Sequence, residues 1–316
     1  MWIQTRFPII LVFIFVQWIF AASLHAQGRK MEGDIETIHV RDNIFMLVME
    51  PAGNVAVSVG EDGVALVDDQ FAPMTKRINT AVAELTDKPV RYVFNSHWHG
   101  DHTGGNRNIG KQGPVIVAHD NVRQRLSAEQ FHLFFKARSA ASPPEALPVI
   151  TFNDSMTFYF NGEAIDVVHM PDAHTDGDAI FHFRNADVIH AGDIFINRGY
   201  PLIDIASGGS IKGQIAATNR ILERMGPDTI VIPGHGPLAG KDRVTVIRDM
   251  LLTAWVNVAD LIIQGKTLEE IIAAEPLAEL DPEWGQGFVR AKTFIQIIYQ
   301  SETGDWEKPE NMPLVE

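Results

Sequence analysis

Val93-Phe94-Asn95-Ser96-His97-Trp98-His99-Gly100-Asp101-His102-Thr103-Gly104-Gly105-Asn106 is the stretch on which the reading of this chain turns. Within six residues His97, His99, Asp101 and His102 supply three imidazoles and a carboxylate. Ionisable groups at that density are not core material, because each would need its own buried partner. The segment before them, Arg91 to Asn95, is short, apolar and β-prone, which predicts a buried strand feeding a loop. Gly100, Gly104 and Gly105 let that loop turn sharply enough to aim several side chains at one point. The pattern predicts a metal site.

One cluster cannot close such a site without distant partners. His174 lies in Met170-Pro-Asp-Ala-His-Thr-Asp-Gly-Asp178, just after a predicted strand at 165–169. Asp193 follows a predicted strand at 188–190, and His235 follows one at 229–232 in Pro-Gly-His-Gly-Pro237. Each is a polar residue at the C-terminal end of a strand, and loops on one sheet edge converge in space. Counting donors, one ion could take His97, His99 and His174, with a position open to water. A second could take Asp101, His102 and His235, while Asp193 bridges the two with its two oxygens. Imidazole and carboxylate donors suit zinc, manganese or iron. Asp68, ending a central strand, is the candidate partner for a ligand's outer nitrogen. Asn197 and Tyr200 follow Asp193 and are candidates to polarise a substrate oxygen. Phe131, Phe134 and Phe135 are candidates to wall an apolar cleft beside the metals. His119, His132, His169, His182 and His190 lack partner ligands in the local sequence and are read as packing or surface residues.

The bulk properties narrow the setting. The chain has 316 residues, no cysteine and a formal net charge of −14. No zinc ligand can therefore be a thiolate, and an acidic surface repels phosphate backbones, so nucleic acid is not an expected partner. Met1 to Arg6 is a short start with one positive charge, Phe7 to Phe20 is an apolar run broken only by Gln17, and small residues lead to Ala26. That layout predicts a secretory signal peptide over 1–26, with an uncleaved anchor as the alternative. The expected location is periplasmic or secreted, with no membrane contact after cleavage. Residues 27–316 are expected to form one domain, with a core at about 44–237 and a helical region at about 241–301.

Within that domain, alternating or continuous apolar runs predict strands at 44–49, 54–59, 63–67, 90–95, 114–118, 156–160, 165–169, 179–183, 188–190 and 229–232. Helical spacing of apolar residues appears at 74–85, 120–128, 211–225, 243–264, 267–274 and 285–301. The segment from Phe131 to Pro148 reads as a helix end running into a loop. Many strands in two groups, with helices between and after, predict an α/β fold of packed sheets covered by helices.

H-x-H-x-D-H at 97–102, with His174, Asp193 and His235 in that order, resembles the metallo-β-lactamase superfamily of hydrolases over about Ile44 to Pro237. The resemblance implies a four-layer αββα sandwich with a binuclear zinc site at one edge, between two sheets. It also implies a metal-bridging hydroxide that attacks a carbonyl or other ester-like centre without a covalent intermediate. Asp101 would then be both ligand and the group that orients the nucleophile or passes its proton. The lactamases that ligate their second zinc through cysteine are poor guides, because Asp193 stands at the comparable position. That bridging carboxylate resembles glyoxalase II, lactonases and related hydrolases. The expected substrate is a small ester, lactone, thioester or cyclic amide. β-Lactam hydrolysis and mononuclear iron chemistry of the persulfide dioxygenase kind stay open, as do iron or manganese as the native metal and the oligomeric state.

Overall fold

A computed structural model describes residues 35–307 and 313–315 of the chain. The expected signal peptide lies outside those residues. Antiparallel strands β1 (Glu36–Arg41), β2 (Ile44–Val48), β3 (Val55–Gly60) and β4 (Gly63–Val67) open a seven-stranded sheet. Strands β5 (Val90–Phe94) and β6 (Val115–His119) continue it in parallel with β4. A separate hairpin, β7 (Gln130–His132) with β8 (Ala137–Ser139), precedes β9 (Ile150–Phe152), which adds in parallel to β6 as the last strand. The second sheet runs β10 (Ser155–Phe160), β11 (Glu163–His169), β12 (Ala179–Phe183), β13 (Val188–His190) and β14 (Ile230–Ile232). Leu314–Val315 pairs in parallel with β8.

The two-residue repeat of the strands sorts their side chains into layers. Ile44 and Met46 of β2, Ala65 and Val67 of β4, Phe94 of β5 and Val117 of β6 face the second sheet, where Val167, Phe181 and Ile232 meet them. Their neighbours Leu47, Val64, Leu66, Val93 and Ile116 face outward and are covered by Ile78, Ala81 and Val82 of the helix Thr75–Leu85. In the second sheet, Ile180, Ile189 and Val231 face the other way. They pack under the helices Ile211–Arg224, Lys241–Ile263 and Ala291–Thr303. Helix, sheet, sheet, helix is the resulting order, the expected αββα sandwich. Between the sheets, Phe94 and Phe181 meet edge to face with centroids 5.5 Å apart. Each fully buried side chain of that size stabilises the interface by ~1.5–3 kcal/mol.

Two local expectations are corrected, and one strand is added. The stretch after Phe131 is the β7–β8 hairpin, whose three-residue strands are too short for an alternating pattern to register. The expected helix at 285–301 begins only at Ala291, because Gly285 and Gly287 interrupt it and Val289 pairs across to Tyr200. Strand β1 is half-exposed, and only Ile38 and Val40 of its six residues are apolar, a pair too short to register as a strand. Among the described residues no helix is long and apolar enough to cross a membrane.

Candidate metal centre

Strand direction gathers the ligands. In the first sheet β4 and β5 are parallel, so the loops after Val67 and Phe94 leave the same edge. In the second, β11 and β13 both run antiparallel to β12, and β14 runs parallel to β13. The loops carrying His174, Asp193 and His235 therefore share an edge too. All seven residues singled out in the sequence come together there. Ligand atoms lie within 4.8 Å of one another in each of three groups: His97, His99 and His174; His97, His102 and Asp193; Asp101, His102 and His235.

Asp193 stands between the two outer groups. Its Oδ1 is 3.2 Å from His102 Nε2 and 3.5 Å from His235 Nε2, while its Oδ2 is 3.5 Å from His174 Nε2. Asp101 Oδ2 lies 3.2 Å from His235 Nε2 and 3.7 Å from His102 Nε2. His174 Nε2 and His99 Nδ1 are 2.9 Å apart. Groups crowded this way leave polar atoms unsatisfied: His97 Nε2, His102 Nε2 and Asp193 Oδ1 are buried with no well-aligned hydrogen-bond partner. Three inward-facing orphans in one space are what a bound cation would satisfy.

The outer nitrogens show which lone pairs point inward. Asp68 accepts from the Ser96 backbone N–H and the Ser96 hydroxyl, both at 2.7 Å, and from His102 Nδ1 at 2.7 Å. Because the Ser96 hydroxyl is spent on Asp68, its oxygen accepts from His97 Nδ1 at 3.0 Å. One carboxylate, Asp68, thus orients two imidazoles, His102 directly and His97 through Ser96. His174 Nδ1 donates to the Leu202 carbonyl at 2.7 Å, and His99 Nε2 donates to Asp204 at 2.9 Å. Four imidazoles are left with a free inward lone pair, the form a metal needs. His235 differs, because its Nδ1 faces Arg198, a donor, at 3.3 Å; Arg198 also pairs with Glu50.

Charge does not follow that division: burial opposes charge on His99 and His102, yet Asp204 raises the first and Asp193, Asp101 and Asp68 raise the second above the ordinary imidazole range. Burial, reinforced by His102, holds His97 well below the ordinary imidazole range, and burial brings His174 down to about 4. Burial also opposes charge on His235, yet Asp193 and Asp101 raise it to about 9. For Asp193 burial works against ionisation, but His235 and His102 outweigh it and hold the carboxyl well below its usual range.

Close backbone approach completes the site. Gly53 lies flat against the His102 ring: a Cβ there would stand 2.6 Å from Nε2 and 2.8 Å from Nδ1. A Cβ at Gly234 would collide with Asp193 Oδ1. Asp68 and Gln70 both hold positive φ, 68° and 57°, directly behind His102. Such backbone persists only where the surroundings enforce it. Gln70 Nε2 donates to the Gly53 carbonyl at 2.8 Å, and the Asp69 N–H donates to the His102 carbonyl at 3.0 Å.

The two residues expected to contact substrate do not face the site. Tyr200 is buried, donates its hydroxyl to Asp281 at 2.8 Å and stacks on Phe294 at 4.7 Å. The cause is Gly199, whose φ of +59° turns the chain against Gly287 and sends Tyr200 into the helical layer. Asn197 donates to the Pro237 carbonyl and accepts from Arg243, both at 2.8 Å, so it braces the loop that carries His235. Asp204 went unrecognised in the sequence: it stands among Leu202, Ile203 and Ile205, with no ligand spacing to mark it. His132, expected only to pack, stacks on Trp98 at 5.0 Å and also lines a cleft beside His99.

Sheet order, edge and ligand set define a metal-binding αββα sandwich. Residues 50–235, more than half of the chain, match the metallo-beta-lactamase superfamily, and the chain belongs to that family. It is 25% identical over 197 residues to a hydroxyacylglutathione hydrolase of Polaromonas sp., which covers 62% of this chain and 66% of that relative. Among solved structures it resembles the stereoselective inverting sec-alkylsulfatase Pisa1 from Pseudomonas sp., with TM-score 0.65, 18% identity, and 86% and 51% of the two chains covered. It also resembles a metallo-beta-lactamase from Pontibacter korlensis, with TM-score 0.56, 17% identity, and 69% and 99% covered. The chain spans between 41% and 66% of the length of the curated relatives it matches.

Proposed function

We propose that this protein is an exported hydrolase that holds two zinc ions and cleaves a small ester, lactone or thioester. One observation carries the reading: the inward lone pairs of His97, His99, His102 and His174 converge on a space that Asp193 divides, leaving buried atoms unsatisfied. His97, His99 and His174 would hold one ion, Asp101, His102 and His235 the other, and Asp193 both. Bound there, the ions would supply an acidified water and a positive field for the charge that develops on the substrate oxygen.

The chain's own residues do the rest. Asp68, Ser96, Asp204 and the Leu202 carbonyl fix the ring orientations in advance, so little reorganisation is left for the reaction. The side chain of Asp101 is 24% exposed against 8% for Asp193. Its carboxylate is thus the one an incoming substrate meets, and the one suited to hold a proton bound for the leaving group. Hydroxyacylglutathione hydrolysis is the activity named for the Polaromonas relative, and a carboxylate, Asp193, rather than a thiolate between the two groups supports that branch over cysteine-ligated lactamases.

The test is a panel of ester, lactone, thioester and β-lactam substrates before and after chelation. Turnover should vanish with the metal, return with zinc, and be absent from His97→Ala. A chelated sample that keeps its full rate would refute the proposal. Export is tested by sequencing the N-terminus of the protein recovered outside the cytoplasm; a mature start after Ala26 is expected.

A further inference from the structure

Beside His99 opens a cleft of about 230 Å³ whose inner end is polar, formed by His99 and Asp204. Its outer walls are Leu133, Phe134 and Phe135 from the β7–β8 hairpin and Ile297 from the helix Ala291–Thr303. Phe288, remote in sequence, leans on both phenylalanines, with centroids 5.1 Å from Phe134 and 6.2 Å from Phe135. Phe134 and Phe135 meet at 5.0 Å, nearly perpendicular.

These rings stand in water. Phe134 is 36% exposed, Phe135 53% and Phe288 66%. Three aromatic side chains from two distant segments, gathered at a cleft mouth and left uncovered, form the kind of apolar patch that marks a binding surface. Their tilted arrangement leaves faces and edges free for another flat ring. The patch is continuous with the metal centre through His99, so whatever covers it reaches the reacting atoms. Its volume suits a ring as well: a cavity of ~150 Å³ accommodates benzene, so this cleft has room for a substituted ring system. Within the cleft, Thr293, Gln296 and Gln300 add neutral polar groups, and Lys136 is the one cation among its described lining residues.

We infer that the substrate carries an aromatic or similarly flat apolar group, which the Phe134–Phe135–Phe288 cluster grips while its carbonyl lies at the metal centre. This rests on the hydrolase reading and narrows it. Phe134, Phe135 and Phe288 are specificity-determining residues that do not touch the reacting atoms.

The test separates recognition from turnover. 2-Acetonaphthone, a ketone that cannot be hydrolysed, is titrated against the protein by ligand-observed NMR, with acetone as the ringless control. Saturable binding of the naphthyl ketone is expected, weakened roughly tenfold in Phe134→Ala and in Phe288→Ala. Both positions are exposed, so the variants should melt with the parent. In parallel, ethyl acetate, ethyl phenylacetate and phenethyl acetate are compared. One of the two aromatic esters should show the lower KM, and that advantage should shrink in the variants while kcat holds. No saturable ring binding, or binding unchanged in both variants, overturns the inference. So does self-association that Phe288→Ala abolishes without any ring binding, which would make the patch an interface between copies. Ring binding without hydrolysis of these esters or of any lactone or thioester in the panel above would sink the hydrolase reading alone; hydrolysis indifferent to the ring would sink this inference alone.

Discussion

Replacing Gly53 by alanine drives a methyl carbon into the His102 imidazole, although residue 53 is neither a ligand nor charged. The new Cβ would stand 2.6 Å from Nε2 and closer still to Cε1, whereas ordinary van der Waals contact begins at 3.4 Å, so the ring must retreat by at least about 0.8 Å. His102 has little room to do so. Its Nδ1 is held by Asp68 at 2.7 Å, and the same retreat would stretch that bond to the limit of hydrogen bonding. A charge-assisted bond of this kind contributes ~1.5–3 kcal/mol. Loss of a ligand's support lowers metal affinity by ~10–100-fold, and a misplacement near 1 Å costs about 10²-fold in rate. The assay is metal content after dialysis against a weak chelator, with kcat/KM on the best substrate. Gly100→Ala is the matched control: it lies in the ligand loop, but a Cβ there meets nothing within 4 Å. Gly53→Ala should lose metal and activity together, and Gly100→Ala should lose neither. If Gly53→Ala keeps both, the view that backbone packing fixes His102 is wrong.

Three further outcomes follow from the same geometry. Asp204→Asn removes the charge and one of the two acceptor oxygens of the carboxylate that orients His99, and should weaken metal retention ~10–100-fold with little change in the melting of metal-free protein; unchanged retention would separate Asp204 from the site. Metal uptake should release protons and tighten as pH rises toward 9. Asp193 and Asp101 lift His235 to about 9, so below that pH a proton competes for its inward nitrogen. Calorimetry in buffers of different ionisation enthalpy reads the protons, and affinity flat from pH 6 to 9 would contradict the assignment. Tyr200→Phe should lower stability by about 1–2 kcal/mol through the lost bond to Asp281 and leave kcat within twofold; a large fall in kcat would restore Tyr200 to substrate binding.

Much of this centre was legible because metal ligation imposes residue types that packing does not. Core packing has no use for three imidazoles and an acid within His97–His102, nor for lone acids and histidines placed at successive strand ends. The sheets were legible where both faces are buried and apolar residues run together, as in Gly63–Val67. Legibility failed where the determining contact is made across the fold. Asp204 supports His99 from 105 residues away, and nothing in its neighbourhood announces a partner. Tyr200 follows Asp193 closely, but chain proximity says nothing of direction, and one glycine at positive φ turns it away. The β7–β8 hairpin escaped because its strands are held by pairing with each other and with Leu314, not by an apolar repeat.

The most direct measurement is metal stoichiometry per chain, by elemental analysis of the purified protein beside Asp193→Ala and His174→Ala. Two equivalents of zinc are expected in the parent protein, and no more than one in either variant, since Asp193 faces both groups and His174 completes the first. A parent protein that binds a single ion, with Asp193→Ala binding it equally well, would contradict the two-ion centre.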